Sequence, residues 1–540
     1  MSLRAKSATL ALALLALTLL SFFRFPGHTI LQSDTQIYIP VLEHLWDRTT
    51  LTEDVMATRP HVSFTLYDEA ALALRWITRT SFEHVLMAQQ FAYRFVGIAG
   101  LYFLACAFGL TPWKAFLVAS VLSLGAVVNG PAVLTVEYEP VPRGFALPFV
   151  IASLAGVAHM RWRTAALCAT IAFAFHPPTA VVYCGLLFLL LALHRSFAGI
   201  ALLAIGPVIL LLSVVLWDPS TERQPLFGRI DPALEALQRM RASYNWVSIW
   251  FANWKNHYAL LSLVVAVALW RVRDRISKPL LMMLAGLPLI GVLSIPLSYL
   301  LLEKVKWVVI PQFQPARYVL FITLMASLLC TSAGVIAAER RRWIEAVVFF
   351  AIAFAIPMDP KITNVLIPAD ALSIQRLALA SSLASFATFV CALKNSRAAP
   401  AGLVAAGMLP FFVIPVIGKV RNYPALHVRE LDELVYWARH NTSKDAVFQF
   451  ADAVRDLQPG VFRARATRAL FVDWKAGGQA NFHHQFSEIW WKRWQIAEKP
   501  QPLETYAALG IDYVVFKAKD KPRSMPPVYS NAGYVVYRTR

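Results

Sequence analysis

The sequence predicts a polytopic α-helical membrane protein with a small C-terminal α/β region, and three observations carry this prediction. First, 58% of the 540 residues are hydrophobic and only 15% are charged, whereas a soluble domain carries about 25% charged residues. Second, the apolar residues form long runs, and about 20 helical residues suffice to cross a bilayer. Third, the polar residues are concentrated in three long segments, residues 24–83, 218–255 and 420–540.

The first apolar run, Ser7–Phe23, follows two basic residues, Arg4 and Lys6. A secretory signal peptide would continue into a cleavage site of small residues. This run is followed by the letters RFP instead. We therefore expect a retained first helix whose N-terminus lies on the cytoplasmic side.

Later apolar runs predict further spans, so that the chain has about thirteen in all by the length rule. His176 and two prolines separate the shortest pair of runs. The runs cover residues 84–109, 113–129, 144–160, 164–176, 178–194, 198–217, 256–270, 279–302, 317–337, 343–357, 371–393 and 399–418.

The basic residues predict the orientation of these spans. The formal net charge is +19, and lysine and arginine collect in the cytoplasmic loops of membrane proteins. With the N-terminus inside, most loop cations fall on the inner side, and the tail falls outside. Nucleic acid is excluded as a partner because no basic segment is interleaved with aromatic residues. We expect a membrane domain at 1–419 and a domain outside the cytoplasm at 420–540.

The tail has the pattern of a small layered α/β domain. Apolar spacing predicts helices near 431–439, 488–496 and 503–509. Short apolar segments predict strands near 446–450, 469–472, 513–517 and 534–537. Because no glycine-rich phosphate loop follows a strand, we expect no nucleotide site.

Asp34 is the most informative acidic residue. It follows the first span by about eleven residues and precedes Ile37, Tyr38 and Val41, whose spacing is that of an amphipathic helix on the membrane surface. Asp34 is therefore either the N-cap of that helix or a carboxylate that takes a proton from an acceptor. Glu43 and Asp47 have the simpler interpretation of a solvated helix face.

Other ionisable residues lie at or near the same predicted face. Such groups are costly in a membrane and are functional candidates for that reason. For Arg94 the alternative is a structural ion pair with Glu137 or Asp34, and for His176 it is a polar helix end. Arginine binds phosphate bidentately. The outer-face candidates for donor or acceptor binding are Arg94, Glu137, Glu139, Arg143, His176, Arg317 and Tyr38.

With its many helices, its acidic first outer loop and its outer C-terminal domain, the sequence resembles the GT-C glycosyltransferases, which include protein mannosyltransferases, oligosaccharyltransferases and aminoarabinose transferases. The local likeness is D-x-x-x-Y at Asp34 and Tyr38. The tail motifs WARHNTSKDAVFQF, FRARATRALFVDWK and ALGIDYVVF are similar to the outer domain of bacterial multi-span proteins grouped near this superfamily.

The resemblance implies that Asp34 is the catalytic base or orients the acceptor. We expect Glu137 or Glu139 to be a second acid or a partner of Arg94. The family often has two adjacent acids at this position, whereas Thr35 follows Asp34 here, so Glu53 and Asp54 stay as an alternative acidic pair. A divalent cation, Mg²⁺ or Mn²⁺, stays open as a cofactor.

The functional expectation is a glycosyltransferase that moves a sugar from a polyprenyl-phosphate donor to a glycan, lipid or protein acceptor on the periplasmic face. The phosphate would bind Arg94, Arg143 and Arg317. Two non-catalytic alternatives are a flippase or transporter of lipid-linked glycans and a GT-C-like scaffold. Transporters of this kind often show repeats and interrupted helices, which the sequence does not display.

Overall fold

The structure is a computed structural model that describes the chain except for residues 1–2, 25–26, 59–64, 218–226, 359–371, 394–415, 417–425, 482–483 and 521–525. The described part is mostly helical. Its helices before the tail are α1 (Leu3–Phe23), α2 (Thr35–Trp46), α3 (Tyr67–Thr78), α4 (Phe82–Cys106), α5 (Pro112–Ser123), α6 (Pro142–Ala158), α7 (Trp162–Phe175), α8 (Pro177–Leu193), α9 (Phe197–Trp217), α10 (Pro232–Arg241), α11 (Ala252–Val272), α12 (Lys278–Ser298), α13 (Ile310–Phe313), α14 (Val319–Glu339), α15 (Trp343–Ala355) and α16 (Leu372–Ala392).

Two stretches of helix in the described residues are long and apolar enough by themselves to cross a membrane, Lys278–Lys304 and Ile310–Glu339. Several other apolar helices have 10 to 17 described residues. The count of thirteen spans therefore stays a prediction, and the predicted span 399–418 lies almost wholly outside the described residues. Helix α14 forms the centre of the bundle, since every residue from Val319 to Ala338 is buried.

Small residues allow α4 and α6 to pack closely. A Cβ atom at Gly100 would lie 3.0 Å from the backbone of Ala152, and one at Gly97 would lie 3.0 Å from Cβ of Pro148. Small residues at such positions let membrane helices approach one another. This contact matters for the site because α6 carries Arg143 at its outer end.

Helix α2 differs from the sequence expectation of a helix with one wet face. Most of its residues are buried, including Gln36 and His44. The reason is that the tail covers α2: Arg463 donates to the backbone carbonyl of Gln36 at 2.9 Å. The sequence pattern cannot show this second covering layer, because the residues that form it lie more than 400 positions away.

The tail combines four helices with a mixed sheet in its described residues. The helices are α17 (Arg429–Asn441), α18 (Gln458–Ala466), α19 (His484–Ala497) and α20 (Leu503–Ala508). A short hairpin, β1 (Val127–Val128) and β2 (Val133–Leu134), precedes the tail strands β3 (Val447–Phe450), β4 (Ala469–Leu470), β5 (Tyr513–Lys517), β6 (Tyr529–Ser530) and β7 (Tyr534–Arg538). The predicted small C-terminal sheet is confirmed. Helix α18 and strand β6 are elements of the tail that the sequence analysis did not predict.

The sheet has the strand order β4-β3-β5-β7-β6. Strand β3 is parallel to β4 and β5, with Phe448 opposite Leu470 and Tyr513. Strand β7 is antiparallel to β5 and β6. The loop that follows β4 leaves the sheet beside α2, and this placement brings residues 473–479 to the membrane domain.

A buried ionic cluster joins the tail to the first outer loop. Arg463 Nη1 lies 2.7 Å from Asp473 Oδ1 and 3.7 Å from Asp54 Oδ2, and all three side chains are 1% exposed. Asp54 also accepts from the backbone N–H of Leu470 at 3.0 Å. A buried charge is tolerated when it is paired and hydrogen-bonded. The tail is thus fastened to the first loop by paired, buried charges.

Candidate active site

A cavity of about 580 Å³ lies where the membrane helices, the outer loops and the tail meet. Its wall is polar on one side and apolar on the other. Its polar lining includes Ser33, Asp34, Tyr38, Thr65, Arg143, His176, Arg241, Tyr244, Gln312, Gln314, Arg317, Lys475 and Gln479. The structure therefore brings together five of the residues singled out in the sequence: Asp34, Tyr38, Arg143, His176 and Arg317.

The Asp34 carboxylate is held between two cations from distant parts of the chain. Its Oδ2 lies 2.5 Å from Arg143 Nη1, and its Oδ1 lies 2.6 Å from Lys475 Nζ. The three side chains are 12–21% exposed. Asp34 precedes α2, but its side chain makes no capping hydrogen bond. The carboxylate thus faces the cavity rather than the helix backbone.

These cations determine the charge state of Asp34. Burial by itself raises the pKa of the carboxyl group, but the charges of Lys475 and Arg143 and their hydrogen bonds outweigh burial and hold the pKa well below its usual value. Hydrogen bonds and opposite charges favour the ionised form. Asp34 is therefore an anion at every pH at which the protein would work.

Arg143 is fixed from a second side by Glu137. Its Nε lies 2.7 Å from Glu137 Oε1, while Nη1 is directed to Asp34. Gly144, the next residue, leaves room for this arrangement, because a Cβ atom there would lie 2.8 Å from Cβ of Glu137. Arginine donates through a planar fork, so two carboxylates can hold its orientation. Glu137 thus acts on the site through Arg143.

Glu139 holds the backbone of the three residues that precede α2. Its Oε1 accepts from the backbone N–H groups of Gln32 at 2.7 Å and Ser33 at 2.8 Å, and its Oε2 accepts from the N–H of Asp34 at 2.9 Å. Burial, followed by the nearby charge of Asp34, raises the pKa of Glu139. Glu139 fixes the backbone of Asp34 and leaves the Asp34 side chain free to face the cavity.

Two further arginines approach the cavity from the outer loops. Arg241 of α10 donates from Nε to the carbonyl of Trp474 at 2.9 Å. The Arg317 guanidinium lies 5.0 Å from the centre of the Tyr244 ring. Within the part of the chain that the structure describes, no acceptor lies within hydrogen-bonding reach of the buried Nε of Arg317. A buried donor without a partner is costly, so Arg317 is a good candidate to bind an anion.

The opposite wall of the cavity is apolar and reaches the surface of the helix bundle. It includes Phe173, Pro207, Leu210, Leu211, Val309 and Phe313. Leu211 on α9 is 66% exposed and Phe313 on α13 is 41% exposed. In a membrane protein such a surface faces lipid. The cavity can therefore hold a polar group beside Asp34 and an apolar chain between α9 and α13.

His176 occupies the break between α7 and α8. Its Nδ1 accepts from the backbone N–H of Thr179 at 3.1 Å and is 2.8 Å from the Thr179 hydroxyl. His176 thus caps α8, as the simpler interpretation expected, and it also lines the cavity. Tyr38, one turn into α2, lines the same cavity and packs against Tyr67 with 5.3 Å between the ring centres.

Arg94 lies apart from this cavity. Its guanidinium donates to the backbone carbonyls of Ser21 at 2.6 Å, Gly27 at 3.0 Å and Glu137 at 2.7 Å. These contacts connect α1, the first outer loop and the loop before α6. The placement supports a structural role for Arg94. Arg94 binds the backbone carbonyl of Glu137, whereas the structural alternative considered in the sequence was an ion pair with the Glu137 or Asp34 side chain.

The alternative acidic pair also lies elsewhere. Glu53 is exposed, and Asp54 is buried in the cluster with Arg463 and the N–H groups of Met56 and Ala57. Asp54 therefore joins the first loop to the tail and does not face the cavity. Its position separates it from Asp34, so the two acids do not form one acidic centre.

The donor set around Asp34 does not fit a divalent cation. Mg²⁺ and Mn²⁺ prefer several oxygen ligands, whereas the two oxygens of Asp34 are directed to an arginine and a lysine. The described residues contain no group of three or more His, Cys, Asp and Glu side chains that could hold a metal ion. The geometry instead suits an anion that neutralises the surplus cations.

Lys475, Arg241 and Gln479 are among the site residues that the sequence interpretation missed. Lys475 is the last residue of the tail motif FVDWK, which the sequence analysis linked to the architecture of the tail and not to a site. The contact between positions 34 and 475 spans 441 residues, and no local sequence pattern predicts such a contact. The nearest signal in the sequence is the excess of basic over acidic residues in the tail.

No protein-family model matches the chain, and no curated protein matches its sequence. Solved structures match its fold. ArnT from Cupriavidus metallidurans in the apo state aligns over 100% of this chain and 99% of its own, with 14% identity and a TM-score of 0.50. The oligosaccharyltransferase from Archaeoglobus fulgidus aligns over 94% and 69%, with 10% identity and a TM-score of 0.41.

The arabinofuranosyltransferase AftD from Mycobacteria aligns over 100% of this chain and 40% of its own, with 13% identity and a TM-score of 0.43. ArnT belongs to the GT-C glycosyltransferases. The ArnT alignment spans both the helix bundle and the tail. The resemblance stated from the sequence is thereby confirmed at the level of architecture: the chain has a GT-C-like fold.

Proposed function

We propose that the protein is a membrane glycosyltransferase that moves a sugar from a polyprenyl-phosphate donor to a hydroxyl or amine acceptor. The observation that carries the proposal is a single cavity that joins an ionised carboxylate, a set of cations and an apolar wall open to lipid. A phosphate requires the cations, a polyprenyl chain requires the apolar wall, and an acceptor requires a base.

The surplus of positive charge supports an anionic ligand. Arg143, Lys475, Arg241 and Arg317 line the cavity together with one lining acid, Asp34. Glu137, which pairs with Arg143 but does not line the cavity, compensates a second positive charge. Phosphate oxygens would accept from Arg317 and Lys475, because arginine and lysine form charge-assisted hydrogen bonds with phosphate. The lipid chain would leave the cavity between α9 and α13.

The reaction would be a displacement at the anomeric carbon of the sugar. A bond forms between the acceptor oxygen or nitrogen and that carbon, and the bond from the carbon to the phosphate oxygen breaks. The electron pair leaves with the phosphate, where the cations stabilise the extra negative charge. The acceptor proton passes to Asp34. The products are the glycosylated acceptor and polyprenyl phosphate.

The low pKa of Asp34 is compatible with this role. Glycosyl transfer passes through an oxocarbenium-like transition state. An acceptor hydroxyl becomes strongly acidic only as its bond to the anomeric carbon forms, so a weakly basic carboxylate can take the proton late in the reaction. Asp34 would mainly orient the acceptor beforehand, with its own backbone fixed by Glu139.

The face on which this chemistry occurs follows from the predicted orientation. The cavity lies among α2, α10 and the tail, which are the segments that the charge bias assigns to the periplasm. We therefore propose a bacterial inner-membrane protein whose donor and acceptor meet at the periplasmic surface. Membrane lipids would surround the opening between α9 and α13.

The test is transfer of a labelled sugar from a polyprenyl-phosphate donor by membranes that contain the protein. Asp34→Asn should lower the rate about 100-fold or more, as expected when a general base is lost. Asp47→Asn, which removes an exposed acid from the other end of α2, is the matched control and should leave the rate near that of the wild type. Unchanged transfer by Asp34→Asn would remove Asp34 from the reaction and favour a binding or flipping role for the cavity.

A further inference from the structure

We infer that Lys475 keeps Asp34 neutralised until donor phosphate binds, and then moves to the phosphate and frees Asp34 Oδ1 for the acceptor. The inference rests on the proposed function and adds an order to it: donor first, acceptor second. It also assigns the tail a direct part in the reaction, because Lys475 is the only one of the two Asp34 partners that comes from residues 420–540.

The first support is that both oxygens of Asp34 are already occupied. Arg143 takes Oδ2, and Lys475 takes Oδ1 while it also donates to the hydroxyl of Ser33 at 2.7 Å. An acceptor hydroxyl needs one of these oxygens within hydrogen-bonding distance to pass on its proton. A carboxylate oxygen can accept two hydrogen bonds, but an oxygen that keeps a cation at 2.5–2.6 Å is a weak base, so departure of one of the two cations favours proton transfer.

The second support is that only Lys475 is free to leave. Arg143 is held by both Glu137 and Asp34 through different nitrogens. The ammonium of Lys475 contacts only Ser33 and Asp34 among the described side chains. A lysine has a flexible four-carbon stem and a compact charge, whereas an arginine held by two carboxylates has a fixed orientation.

The third support is that the backbone of Lys475 is held in place while its side chain can swing. The carbonyl of Lys475 accepts from Arg241 Nη2 at 3.2 Å, and its N–H donates to Asp473 Oδ2 at 3.1 Å. Asp473 is in turn held by Arg463 at 2.7 Å. This anchoring aims the side chain into the cavity that Arg317 also lines, so a phosphate beside Arg317 lies within the same space.

The charge balance supplies the driving force. Before the donor binds, Asp34 is the anion that compensates Lys475. A bound phosphate offers a second anion beside Arg317, and the leaving polyprenyl phosphate carries one more negative charge than the donor. Each step favours transfer of the ammonium from carboxylate to phosphate, and each leaves Asp34 Oδ1 open to receive the acceptor proton.

The experiment measures binding of a polyprenyl phosphate to the full-length protein in detergent. It compares the wild type, Asp34→Asn, Lys475→Met and the double variant, with thermal unfolding to show that each is folded. Lys475→Met should weaken binding about 10-fold, as expected for the loss of a charged hydrogen bond. Asp34→Asn should strengthen binding, because Lys475 no longer has to leave a carboxylate.

The decisive quantity is the coupling between the two substitutions. Removal of the Asp34 charge favours any anion, and this general effect persists when Lys475 is methionine. We expect Asp34→Asn to tighten binding at least about 3-fold more with Lys475 present than without it. Equal effects in the two backgrounds, or wild-type affinity in Lys475→Met, would overturn the inference and leave the proposed function standing. A wild-type protein that binds no polyprenyl phosphate would overturn both.

Discussion

Asp34 illustrates how a largely buried carboxylate keeps its charge. Transfer of an unpaired carboxylate from water into a protein is very costly, and pairing with hydrogen-bonded cations compensates for that cost. Here the compensation comes from α6 and from the tail, on opposite sides of the same carboxylate. The residue is ionised because two elements far apart in the chain converge on it.

The pKa of Asp34 predicts how stability depends on pH. The pKa is depressed in the folded state by Lys475 and Arg143, against the opposing effect of burial. Such a group contributes stability above its unfolded pKa of about 3.9, and the contribution is lost as pH falls through the folded value. The difference in stability between the wild type and Asp34→Asn should therefore be largest near neutral pH and shrink below about pH 4.

Thermal unfolding in detergent between pH 7 and pH 3 measures that difference. Glu53→Gln, which removes an exposed carboxylate from the same outer loop, serves as the control for general charge effects. A gap between wild type and Asp34→Asn that stays constant across this range would contradict the ion pairs described for Asp34.

At the scale of the element, the start of α2 is organised by a carboxylate from another part of the chain. The sequence suggested Asp34 as a possible N-cap of α2, but its side chain makes no capping hydrogen bond. Glu139 instead binds the backbone N–H groups of Gln32, Ser33 and Asp34, directly before the helix, through both of its oxygens. The chain can thereby use Asp34 for a different purpose.

Glu139→Gln should destabilise the protein, since an amide presents an NH₂ group where backbone donors need an acceptor. The loss should be about 1.5–3 kcal/mol for each charged hydrogen bond that is broken. Glu43→Gln is the control because Glu43 has, among the described residues, a single ion-pair partner, Arg75, and both side chains are only partly exposed, at 23% and 18%, so that the loss of this one pair should cost less than the loss of three backbone hydrogen bonds. Chemical unfolding monitored by tryptophan fluorescence measures both losses, and equal losses would argue against the role of Glu139 in holding the segment before α2.

At the scale of the whole molecule, the tail is part of the site and not an appendage. It supplies Lys475 and Gln479 to the cavity lining, and it is fastened by Arg463, Asp54 and Asp473. Breaking a buried ion pair by removing one partner costs about 3–5 kcal/mol, because the other charge stays buried and unpaired.

Arg463→Met should therefore loosen the tail and raise the rate at which limited proteolysis releases it. Arg465, on the same helix α18, offers a matched control: its side chain is 28% exposed and pairs with a 55% exposed Asp432. Arg465→Met should change stability by only about 0.5 kcal/mol. Similar proteolysis of the two variants would show that the buried cluster does not fasten the tail.

The sequence predicted the architecture because long apolar runs, the charge bias and the short tail strands are local signals. It also singled out Asp34, Arg143 and Arg317, which the structure places around one cavity, because each is an ionisable residue in a loop between predicted spans or at the start of one. Lys475 and Arg241 could not be predicted as site residues, because their position in the cavity depends on how the tail packs against the rest of the protein. For Arg94 the sequence left both phosphate binding and a structural ion pair open, and its contacts in the structure are backbone carbonyls, which no side-chain pattern in the sequence records.

The most direct measurement of the central claim is a structure of the protein with polyprenyl phosphate bound. The account predicts a phosphate within hydrogen-bonding distance of Arg317 and Lys475, with Asp34 Oδ1 released and the lipid chain lying between α9 and α13. A phosphate bound outside this cavity, or a lipid chain that enters from another side of the bundle, would contradict the account.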